Sequence, residues 1–119
     1  MSMANLRKNK KKKSVDEMIS EMVRRIVKKF HPDKIILFGS HARGTAGPDS
    51  DVDLLVIMKT KAREIDRYVA VSNLLYPRQF PVDILVKTPK EMEAETRRKG
   101  NFFMHEILKK GKVLYERSR

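Results

Sequence analysis

Three short apolar runs constrain this chain more than any other feature: KIILF at 34–38, DVDLLVIM at 51–58 and FPVDILVK at 80–87. Each has strand length and β-branched content, and each reads as a β-strand. KIILF is apolar on both faces, which places it inside a sheet. Helical patterns surround them. From Ser14, the residues Val15, Met18, Ile19, Met22, Val23, Ile26, Val27 and Phe30 recur at three- and four-residue spacing and form one stripe. SVDE makes a capping box of Ser14 and Glu17, Lys28 and Lys29 suit the last turn, and Pro32 stops the helix by disfavouring helical geometry at His31. Residues 62–76 predict a helix that turns Ile65, Val69, Leu74 and Leu75 to the core and stops at Pro77. TPKE opens another helix, with Thr88 as cap, Pro89 at the first position and Glu91 completing the box. NFFMHEILKKG predicts a last helix between an Asn101 cap and a Gly111 stop, and KVLYE (112–116) a final strand. The order is α-β-(short α)-β-α-β-α-α-β, an α/β (α+β) fold in which a small mixed sheet is backed by helices.

At 119 residues, with no internal repeat, this is one domain. No apolar run approaches the roughly 20 residues of a membrane span, and no apolar segment follows the basic N-terminus as in a secretory signal. The absence of cysteine excludes disulfides, thiolate zinc sites and cysteine nucleophiles, and it fits a cytoplasmic protein. Half of the net charge of +12 comes from RKNKKKK at 7–13. Such a run repels itself, so residues 1–13 are expected to be a disordered tail with weak affinity for polyanions, and the folded domain to span 14–119.

The candidate chemistry lies at strand ends. Asp51 and Asp53 are two apart on a predicted strand, so they share a face while Val52 and Leu54 take the other. Adjacent like charges destabilise one another unless a cation sits between them, and oxygen-only ligands favour Mg²⁺ or Mn²⁺. Asp83 interrupts an apolar strand, where an unpaired buried carboxylate is costly. It lies on a solvent-facing edge or it meets a cation. In FGSHARG, Gly39 allows a tight turn and close backbone approach, Ser40 can cap the short helix that follows, and Arg43 can pair with phosphate. The segment lacks the lysine of a Walker A loop and is no GxGxxG fingerprint. A glycine turn next to three strand-borne carboxylates describes a nucleotide–Mg²⁺ site.

The pattern GS-x10-DVD followed by VDILV resembles the nucleotidyltransferase superfamily typified by DNA polymerase β. Within it, the chain is most similar to the minimal nucleotidyltransferases of prokaryotes, over roughly residues 20–116. The resemblance implies a polymerase β-like fold and two Mg²⁺ ions (Mn²⁺ as an alternative) bridging Asp51, Asp53 and Asp83 to ATP. It implies that Gly39 and Ser40, with Arg43, hold the triphosphate, and that Asp83 completes the ion activating an acceptor hydroxyl. It also implies a partner, because such proteins are commonly antitoxins paired with a HEPN-domain toxin, whose tyrosine can receive AMP. Two other functions are open to the same residues. One is a binding module that neutralises a partner by contact through exposed Phe102, Phe103 and Met104, and the other is a basic nucleic-acid adaptor.

Overall fold

The stripe that starts at Ser14 folds as α1, Val15–Phe30, and buries Ile19, Val23 and Ile26. Its capping box is complete: Ser14 Oγ accepts from the Glu17 amide at 3.1 Å, and Glu17 Oε1 from the Ser14 amide at 3.2 Å. The stop is a left-handed His31 (φ 49°, ψ 56°), whose amide donates to Val27 O, immediately before Pro32. The computed structural model describes residues 14–78 and 80–118, and the expected basic tail lies outside them.

Eight elements follow in the expected order: β1 (Lys34–Phe38), α2 (Ser40–Arg43), β2 (Val52–Ile57), α3 (Glu64–Leu74), β3 (Val82–Lys87), α4 (Pro89–Arg97), α5 (Phe102–Lys110) and β4 (Lys112–Glu116). The sheet order is β3-β2-β1-β4. β1 is antiparallel to both of its neighbours, whereas β2 and β3 are parallel, with α3 as the crossover between them. Strand alternation divides the core. Leu37, Leu54, Val56 and Ile84 pack under α1 and α3, while Ile36, Leu55 and Ile57 pack under Met92 of α4 and Met104 and Ile107 of α5. Asp53 and Asp83 fall on this second face, at the ends of the rows Asp53–Leu55–Ile57 and Asp83–Leu85–Lys87. No described helix is long and apolar enough to cross a membrane.

Two expectations need correction. Ile65 and Val69 of α3 are 59% and 44% exposed, and the helix instead buries Val71, Ser72 and Arg67. The reason is an ion pair: Arg67 Nη1 donates to Glu91 Oε1 at 2.7 Å and its Nε to Ala62 O at 2.8 Å, so the inward face is set by a guanidinium. Met104 is not an exposed contact residue but is 2% exposed in the core, because it shares a helix face with Ile107. Gly111 stops α5 as expected, at φ −73°. A side chain there would overlap Ile107 O and come within 2.6 Å of Ile36 Cγ2, so the glycine lets the helix end lie against β1.

Glu91 joins α4 to α3 by accepting from Arg67, and it closes the capping box of its own helix by accepting from the Thr88 amide at 2.8 Å. The Arg67 hydrogen bond holds its carboxyl below the ordinary carboxylate range, against the opposing effect of burial, with help from the Thr88 amide. A lowered native value stabilises the fold above the unfolded carboxylate range, and that stability is lost as pH falls through the native value. Glu91→Gln is therefore expected to cost about 1 kcal/mol near neutrality, a low figure because the side chain is 38% exposed. The difference in thermal midpoint from the parent should close in acid, which melting curves across pH would read.

Candidate active site

The parallel register of β2 and β3 sets Asp53 directly opposite Asp83, and the antiparallel register of β1 and β2 sets Phe38 opposite Asp53. The chain leaves β1 through Gly39 at φ 77°, ψ −155°, a conformation essentially reserved for glycine. A β-carbon there would overlap Oδ2 of Asp53. The close approach that this glycine permits is thus to a carboxylate of the same chain. Gly39, and not Ser40, occupies the cap position of α2, and no side chain caps that helix. Ser40 is its first residue, and the amides of Ala42 and Arg43 each donate to Gly39 O at 3.1 Å. His41 Nε2 lies 3.2 Å from Ser50 O and ties α2 to the loop entering β2. Position in the sequence alone offered no sign of that partner.

β3 is an edge strand, and Asp83 is exposed on it. The solvent-facing alternative and the cation alternative are therefore compatible: the carboxylate faces water and also faces Asp53. Burial raises the Asp53 carboxyl above the ordinary range, and the charges of Asp83 and Asp51 and a hydrogen bond shared with Asp83 raise it further, against a small opposing effect of His41. Two oxygen donors repelling one another at a half-buried position suit a divalent cation, which removes the repulsion. The third carboxylate is less well placed. Asp51 precedes the first residue of β2 and is exposed, and no three His, Cys, Asp or Glu side chains among the described residues stand close enough to hold a metal ion. No strand ladder fixes Asp51, and without a counter-ion nothing draws it to two like charges.

Asp53, Asp83, Gly39 and Arg43 line one cavity of about 620 Å³, whereas Asp51 and Ser40 are not part of its wall. The remaining wall comes from Phe38, Leu85, Gly111 and one side of α5: Phe102, Phe103, Glu106, Ile107 and Lys110. Its volume lies in the range of small-molecule sites. Only helical spacing could have hinted at the α5 contribution, since Phe102, Glu106 and Lys110 are four residues apart and flank the buried pair Met104 and Ile107.

The chain is similar to known proteins. The nucleotidyltransferase domain family matches residues 19–110. Two proteins of Methanocaldococcus jannaschii, each named "putative protein adenylyltransferase", are similar to the chain. One is 33% identical over 112 residues, covering 88% of this chain and 74% of the relative. The other is 30% identical over 103 residues, covering 84% and 97%. Among solved structures, a "putative nucleotidyltransferase" from Sulfolobus solfataricus superposes with a TM-score of 0.59 at 24% identity, covering 84% of this chain and 78% of that one. A toxin–antitoxin structure with AMP-PNP superposes with a TM-score of 0.59 at 20% identity, covering 83% and 74%. At those identities the likeness is one of fold.

Proposed function

Because this chain belongs to the nucleotidyltransferase domain family, we propose that it transfers AMP from ATP to a hydroxyl of a partner protein, with Mg²⁺ held by Asp53, Asp83 and Asp51. The observation that carries the reading is the in-register carboxylate pair facing a cavity whose wall also holds the Gly39 turn and Arg43. Two Mg²⁺ ions, or Mn²⁺ in their place, supply charge stabilisation on the attacking and leaving oxygens when bound. The residues of the chain do the rest. The Gly39 backbone and the Ser40 hydroxyl receive the triphosphate, and exposed Arg43 reaches its outer phosphates as a planar donor. Asp83, open at the sheet edge, orients the acceptor hydroxyl and takes its proton. The acceptor oxygen bonds to the α-phosphorus, the α–β phosphoanhydride breaks, and pyrophosphate leaves.

The acceptor in this proposal is a tyrosine of a HEPN-type toxin, which makes the chain the antitoxin of a cytoplasmic pair. Support comes from relatives named as protein adenylyltransferases and from the toxin–antitoxin structures that share the fold. The in-register pairing of Asp53 with Asp83 weighs against a module acting by contact alone, which gains nothing from two facing carboxylates. Labelled ATP and Mg²⁺ incubated with the protein, with and without the product of the neighbouring gene, give the test. Label should appear on the partner and vanish when Mg²⁺ is chelated. An unlabelled partner would leave the protein-acceptor reading without support.

A further inference from the structure

On the α5 wall of the cavity, Lys110 and Glu106 pair with each other at 3.2 Å, and beside them stand two rings that offer nothing phosphates or cations can use. Phe102 and Phe103 are 77% and 59% exposed, while the helix that carries them is anchored by buried Met104 and Ile107. Both rings line the cavity that holds Asp53 and Asp83. The Phe103 ring lies 5.9 Å from that of Phe38 with the planes at 85°, and Phe38 is the register partner of Asp53. The ring is thus held beside the carboxylates while more than half of it stays open. Leaving a phenyl ring in water is unfavourable, and its flat face matches the one flat, stackable part of a nucleoside triphosphate. We infer that Phe103 is the platform on which the nucleobase of the bound nucleotide stacks, with Phe102 flanking it.

This inference rests on the nucleotidyltransferase reading and adds a base subsite to it. Stacking reads ring area, not hydrogen-bonding edges, so the platform favours purines over pyrimidines without separating adenine from guanine.

Calorimetric binding of ATP and of inorganic tripolyphosphate, both with Mg²⁺, tests it on the parent, Phe103→Leu and Phe103→Trp. The leucine variant should bind ATP about tenfold more weakly, tripolyphosphate binding should be unchanged, and tryptophan should restore ATP affinity. Equal ATP affinity in the parent and the leucine variant overturns the inference, as does a parallel loss of both ligands, which would mark a structural role. If ATP affinity holds but transfer to a protein acceptor falls, the ring belongs to the acceptor and the base subsite is again overturned. A parent that binds neither ligand overturns the nucleotide reading itself. Unchanged tripolyphosphate binding also certifies that a variant is folded.

Discussion

Asp53→Asn is expected to lower nucleotidyl transfer by at least about a hundredfold while raising the thermal midpoint of the metal-free protein. The two effects have one origin. Asp53 is half-buried beside Asp83 and near Asp51, and its carboxyl is held above the ordinary range by burial first and by those charges second. A carboxyl with a raised native value is at no disadvantage below the unfolded carboxylate range, and it costs stability as pH rises through the native value. Above the native value the metal-free parent carries that whole penalty, which asparagine removes. The midpoint gap between variant and parent should open from about pH 4 upward. Added Mg²⁺ should close it by stabilising the parent alone. Melting curves with and without Mg²⁺ read both effects, and a parent midpoint indifferent to Mg²⁺ would take the cation away from Asp53.

The second large effect is expected at Gly39. Gly39→Ala forces a side chain into a conformation that costs of order 1–3 kcal/mol for any residue but glycine. It also drives the β-carbon into Asp53 Oδ2. Transfer should fall as far as in Asp53→Asn, but here the midpoint should fall too. Gly44→Ala is the control for a positive φ alone, because Gly44 is left-handed at φ 76° and an added β-carbon there meets nothing within 4 Å. That variant should lose about 1 kcal/mol and keep its activity. A Gly39→Ala variant that keeps its activity, as Gly44→Ala should, would mean that the approach to Asp53 does not matter for transfer.

Much of this was legible in the chain itself, for local reasons. Capping boxes at Ser14 and Thr88, the Asn101 cap and the apolar stripe of α1 are written within a few residues, and all four formed as expected. What local pattern could not give was partnership. On α3, Ile65 and Val69 offered one plausible inward face, but the choice fell to Arg67, whose partner Glu91 lies on a different helix. FPVDILV has the composition of an interior strand, and nothing in it says that β3 stands at the sheet edge. Gly39 could be marked as a place of close approach, yet the atom it approaches is fourteen residues away along the chain. Asp51 and Asp53 looked equivalent in DVD. The strand begins between them, and only Asp53 gains a cross-strand partner on each side.

The register of β2 on β3 has a consequence for how preparations of this protein behave. A slip of one residue would turn Asp83 into the layer beneath α1 and α3 and bring an aliphatic neighbour beside Asp53. Such a molecule loses packing on one face and the carboxylate pair on the other. In such a molecule stability and competence fail together. Specific activity then counts correctly zipped molecules, and refolding yield can be read directly from turnover.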